Sequence, residues 1–113
     1  MTTVTLEVSS REATDRRFLR AFEGQPQGAF ISFETPALLF KVLTQKRWEL
    51  LSAMTGAGPM TLRAAARRVE RDVKAVHRDV HALLDAGILR KTHEGRVVFP
   101  FDAVRVSFVL QAA

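Results

Sequence analysis

Apolar residues recur along this 113-residue chain with two periods, and the changes of period mark out its elements. Val4, Leu6 and Val8 alternate with polar neighbours, which predicts a strand over residues 4–8. Over residues 11–22 the spacing lengthens to that of a helix, with Phe18, Leu19 and Phe22 on its apolar side and Ser9 or Ser10 as its cap. Residues 24–28, bounded by Gly24 and Gly28 around Pro26, form a loop. Residues 29–34, with Phe30, Ile31 and Phe33, read as a second strand. Phe30 and Phe33 are three apart, so regular alternation puts them on opposite faces of that strand. Thr35 and Pro36 start a helix that runs to residue 43, and a further helical piece over 45–54 carries Trp48, Leu50 and Leu51.

The pattern after residue 54 is the informative one. Gly56, Gly58 and Pro59 break the helix. Thr61 caps a short helix to residue 69, with Leu62, Ala65, Ala66 and Val69 inside and the run Ala64–Ala66 slim enough for a close neighbour. Glu70, Arg71 and Asp72 make a three-residue turn, and Asp72 caps a longer helix to residue 86. In that helix Val73, Val76, Val80, Leu83 and Leu84 form one stripe. Gly87 ends it in the left-handed conformation. Two short strands over 88–91 and 96–99 then flank a Glu94-Gly95 turn, and residues 104–110 form a last strand. Helix, short helix, tight turn, longer helix and hairpin follow one another in the order of a winged helix-turn-helix.

Charge sharpens this reading. The net charge is +5, but residues 1–35 carry a net −1 and residues 36–113 a net +6. The basic excess therefore accompanies the helix-turn-helix, as an acidic partner would require. Opposite the apolar stripe of the longer helix lie Arg78 and Ala82, with Lys74 and Ala75 alongside and Arg71 just before. Long cations between alanines combine reach with a narrow profile, which suits a major groove. His81 is assigned to the same side, and His77 to its border with the core. Arg63 and Arg67 of the short helix are candidates for phosphate contact, as are Arg90, Lys91 and Arg96 of the hairpin, which would act as the wing. The bland alternative is a solvated basic face, or a winged helix that docks on protein.

Other chemistry finds little support. The chain has no cysteine, so disulfides and thiolate catalysis are excluded. His77 and His81 have metal-ligand spacing, with Asp85 a turn on, but no further ligands of a zinc motif accompany them, and no metal or cofactor is expected. No Ser/His/Asp set or phosphate loop stands out, and no enzymatic activity is expected. Without an apolar run long enough for a signal core or a membrane span, the expectation is a cytoplasmic protein with no membrane association.

The segments LTQKRWELLSAM, TLRAAARRVERDVKAVHRDVHALLDAGILRK and EGRVVFPFDAV resemble the MarR-like predicted DNA-binding regulators of bacteria and archaea, over about residues 40–104. Members commonly accompany a small toxin gene and look like the antitoxin half of TumE-type pairs. The resemblance implies a groove-reading role for Lys74, His77 and Arg78, and a cognate toxin protein as a partner.

Residues 1–35 carry no motif of that family. Two strands and a helix in so short a span cannot enclose a core alone. With the strand at 104–110 they are expected to build a sheet, and Phe18, Phe22, Phe30, Phe33, Phe40 and Phe108 supply more aromatic area than a wing domain needs. The fold class expected is therefore α+β: a winged helix-turn-helix domain at 36–113, and a β-α-β extension at 1–35 that forms a dimerisation sheet. The function expected is a homodimeric regulator of transcription bound to double-stranded DNA, a repressor and autoregulating antitoxin. The alternatives are a ligand-responsive MarR-like repressor and a protein-interaction module.

Overall fold

The computed structural model describes residues 2–9, 16, 19 and 29–110. Among them the chain forms a mixed α+β fold of four helices and two small sheets. Strand β1 (Thr3–Val8) lies at the centre of the first sheet, between β2 (Ala29–Phe33) and β5 (Ala103–Ser107), and is parallel to both. Between the first two strands Arg16 and Leu19 are helical, while the rest of the helix expected over 11–22, including Phe18 and Phe22, lies outside the described residues. Leu19, expected on its apolar side, is exposed.

Alternation in the sheet follows the expected pattern. Val4 and Leu6 are buried, and the register places Ala29, Ile31 and Phe33 beside Val4, Leu6 and Val8 on the same face. Phe30 is therefore on the opposite face. The inner face packs within the same chain, since Val4 and Leu6 belong to one core cluster with Leu39 of α1 (Pro36–Val42). The last strand is shorter than residues 104–110: pairing ends at Ser107, and Phe108, Val109 and Leu110 run on exposed. Its start is tied down at residue 2. Thr2 donates from its backbone nitrogen (2.8 Å) and hydroxyl (3.1 Å) to Asp102 Oδ2, and the Asp102 N–H donates to the Thr2 carbonyl at 2.9 Å.

Three of these helices begin at caps expected from the sequence, Thr35, Thr61 and Asp72, while the cap of the other, Thr44, is seen only in the structure. Thr35 accepts from the Leu38 N–H at the start of α1, and Thr44 from Arg47 at the start of α2 (Gln45–Met54). Thr61 accepts from Ala64 at α3 (Leu62–Val69), and Asp72 from Lys74 at α4 (Val73–Asp85). Each cap satisfies an orphan N–H of a first turn. The buried stripe of α4 is narrower than expected. Val76, Val80 and Leu83 are buried and Leu84 is half-buried, whereas Val73 is 40% exposed. The reason is its place: at the first helical position the stripe has not yet reached the core.

Gly87, at φ +81°, closes α4, with the Ile88 N–H donating to the Leu83 carbonyl at 2.9 Å. The hydrogen bond brings together two fully buried side chains, Leu83 and Ile88, in the apolar contact that commonly seals such a cap. Ile88 and Leu89 are core residues before pairing begins, so the hairpin strands β3 (Arg90–Lys91) and β4 (Val97–Val98) have two residues each instead of four. On its other side Val97 exchanges two backbone hydrogen bonds with Met60, at 2.9 and 2.8 Å. The hairpin is thereby anchored to the segment just before α3.

Candidate nucleic-acid interface

Three consecutive pieces present cations to solvent: α3, α4 and the hairpin. Each does so because its other side is consumed by the core. On α3, Ala65 and Ala66 are buried, and Arg63, Arg67 and Arg68 are exposed. Arg68 is engaged, donating from Nη1 to the Ala53 carbonyl at the end of α2 (3.3 Å). On α4, Lys74, His77, Arg78 and His81 are all exposed, with Ala75 half-buried between them. His77 therefore belongs to the exposed face and not to the core border expected of it. The two imidazoles lie with ring centroids 4.2 Å apart, as helical neighbours four residues apart should.

The first turn of α4 frames an open recess lined by Asp72, Val73, Lys74, His77 and Arg78. Val73 is its apolar element, and periodicity alone had assigned this residue to the core. It shares that recess with Lys74 and Arg78, the two cations most directly opposed to the buried stripe. A first helical position directly after a cap was the signal that should have set it apart.

Arg71 is placed differently from the other cations. Its Nη1 lies 2.8 Å from Asp79 Oδ2, in an ion pair whose partners are 20% and 13% exposed. The second Asp79 oxygen accepts from Arg47 Nε at 3.0 Å. Arg71 thus points along the protein surface towards α4 instead of out from the turn. Sequence spacing gave no hint of the full cluster, because Arg47 and Asp79 are 32 residues apart.

In the hairpin Arg90, Lys91 and Arg96 are exposed. Arg90 lies over the Phe101 ring at 5.7 Å, a cation–π contact that holds its stem against the protein. Thr92 shapes the turn: its N–H donates to the Arg96 carbonyl (2.8 Å), and its hydroxyl accepts from the Arg96 N–H (3.1 Å). Gly95 takes φ +79°, so the loop closes without strain. His93 is exposed in the same turn, a further candidate that sequence reasoning passed over.

Asp102 is the one described group with a clear electrostatic perturbation. The Thr2 backbone N–H, then the Thr2 hydroxyl, hold its carboxyl below the ordinary value. It belongs to the sheet and not to the basic surface. No group of three or more His, Asp or Glu side chains suited to a metal occurs among the described residues. No helix among them is long and apolar enough to cross a membrane.

A family model described as HVO_A0114 matches residues 42–106, from the last residue of α1 into β5. No curated protein and no solved structure matches the chain. The matched span is more than half of the sequence and includes α2, α3, α4 and the whole hairpin, so the chain belongs to the HVO_A0114 family.

Proposed function

We propose that this protein is a sequence-specific DNA-binding regulator of transcription, built as a winged helix-turn-helix in which α4 enters the major groove and the β3–β4 hairpin is the wing. One observation carries the reading. The face of α4 that bears Lys74, His77, Arg78 and His81 is exposed opposite Val76, Val80 and Leu83, behind a three-residue turn and ahead of a hairpin carrying Arg90, Lys91 and Arg96. A helix offered in this way can reach base edges, while flanking cations on α3 and the wing neutralise phosphates. Arg78 and Lys74 are assigned to guanine or phosphate, and Val73 and Ala75 to the thymine methyl group. No catalytic step is assigned to any residue.

A homodimer belongs to this reading, because duplex sites are usually read as two half-sites. Exposed apolar side chains on α1 and beyond β5 support it: Phe40 is 58%, Val109 79% and Leu110 97% exposed. Phe40 and Phe108 meet edge to face at 5.6 Å, so they form one surface. A toxin-binding role rests on the same exposed surface and on the resemblance of residues 40–104 to antitoxin-type regulators. Co-purification with the product of the adjacent gene tests it.

Salt titration of duplex binding separates this reading from a protein-docking module. With four to six phosphates neutralised, log K should fall with log salt at a slope of roughly −4 to −5. A slope near zero, or no binding at low salt, would refute DNA binding as the function.

A further inference from the structure

Asp79 is a carboxylate on a helix whose exposed face is basic, and both of its oxygens are engaged by guanidinium groups from other parts of the chain. Arg47 Nε lies at 3.0 Å on one oxygen and Arg71 Nη1 at 2.8 Å on the other. Arg47 reaches further, donating from Nη1 to the Val42 and Lys41 carbonyls at 2.9 and 3.2 Å. Those carbonyls are at the C-terminal end of α1, where unsatisfied acceptors carry partial negative charge. One connected set of polar contacts thus joins the end of α1, the first turn of α2, the middle of α4 and the turn ahead of it.

The apolar packing of α4 leaves such a link something to do. The buried residues of α3 are Ala65 and Ala66, and those of α4 are Val76, Val80 and Leu83. Alanine and valine side chains are short, so where they form the helix contact they interlock little, which resists separation more strongly than rotation of one helix about its own axis. Asp79 lies on the flank of α4 beside the buried stripe, so contacts at this position oppose that rotation. A part-buried ion pair of this kind adds little net stability, and its best-attested use is to fix one arrangement among several.

We propose that Asp79 is a positioning residue, which clamps the rotation of α4 through Arg47 and Arg71, and that Arg71 belongs to this clamp and not to the surface offered to a duplex. The consequence for binding rests on the DNA-binding reading, whereas the clamp itself does not. The proposal has a distinctive sign. Neutralising Asp79 makes the protein more basic, so electrostatics alone would tighten its hold on a polyanion. Loss of the clamp instead weakens the specific complex, because groove contacts depend on the angle at which α4 presents them.

The test uses the full chain with Asp79→Asn and Arg71→Ala. The second variant keeps the Arg47 pair and so remains informative if the first fails to fold. Because the protein has no cysteine, spin labels on Ser52→Cys and Asp85→Cys report the α2–α4 distance uniquely. That distance distribution, measured without DNA, should be broader in both variants than in the parent; equal widths would overturn the clamp. On a duplex selected by the parent, Asp79→Asn should lose at least about fivefold in affinity, the lower end of one base contact, while random duplex is bound no more weakly. Arg71→Ala should also weaken the selected complex, with its salt slope unchanged. Equal or tighter specific binding by Asp79→Asn would overturn the proposal. So would a slope flattened by about 0.9 in Arg71→Ala, the mark of a lost phosphate contact. If the parent binds no duplex, the DNA-binding reading falls, and the distance measurement still decides the clamp.

Discussion

Glu70 adopts φ 54° and ψ 47°, a left-handed backbone that side chains other than glycine's rarely take. The turn demands it: the Arg71 N–H must reach back to the Ala66 carbonyl at 3.1 Å, and the Glu70 N–H to Arg67 at 3.2 Å. Those bonds close α3 and aim the chain into α4, at the expense of strain at one Cβ. Glu70→Gly should relieve it and raise stability by roughly 0.5–1 kcal/mol, the greater freedom of glycine in the unfolded chain offsetting part of the gain. Urea denaturation measures the change, and a loss of stability would show that the Glu70 side chain makes a contribution larger than the strain. Asp102 gives a prediction in pH. Its carboxyl is held below the ordinary value by the Thr2 N–H and hydroxyl, so its contribution is complete above the unfolded pKa. That contribution is lost as pH falls through the lower folded value. Asp102→Asn should therefore be less stable than the parent near neutrality, with the difference shrinking below about pH 4, which parallel thermal melts across pH would follow. A gap independent of pH would mean that the ionised form is not what Thr2 recognises.

At the scale of elements, the division of labour on α4 makes opposite predictions for its two faces. Leu83→Ala removes a fully buried side chain and should cost roughly 2–5 kcal/mol of stability. Arg78→Ala should leave the fold intact and weaken specific DNA binding by roughly 1–3 kcal/mol, as titration of a fluorescent duplex at fixed salt would report. Unchanged affinity would remove the groove-reading face. For the hairpin, neutralising Lys91 or Arg96 should flatten the salt slope by about 0.9 each, uniformly across sequences. The helices were legible in the chain because their signals are local. Thr35, Thr61 and Asp72 each bond an N–H two or three residues on. What stayed hidden depends on position or distance. Val73 carries the apolar character of the stripe but precedes its contact with the core, and Arg71 found a partner on the next helix in a cluster that Arg47 completes from far along the sequence. The hairpin was legible as two strands but not in length, because Ile88 and Leu89 are drawn into the core before pairing begins.

Over the whole molecule, the three strands were legible but their order was not, since nothing local to residue 3 announces a partner at residue 103. The sheet joins the two ends of the described chain, and its inner face completes the core of the same molecule. A dimer, on this geometry, must use surface left outside that core, and Phe40, Phe108, Val109 and Leu110 mark it. Phe40→Glu should then shift the protein to monomer with its fold retained, as multi-angle light scattering and circular dichroism would show together. A parent that is already monomeric at micromolar concentration would remove the dimer. The claim on which most else depends is that this surface reads sequence, and not charge alone. The most direct test selects duplexes from a random pool, then titrates the recovered sequence and a scrambled one side by side at one salt concentration. The expected result is a preference of at least about 10³-fold for the recovered duplex. Equal affinity for the two would contradict it.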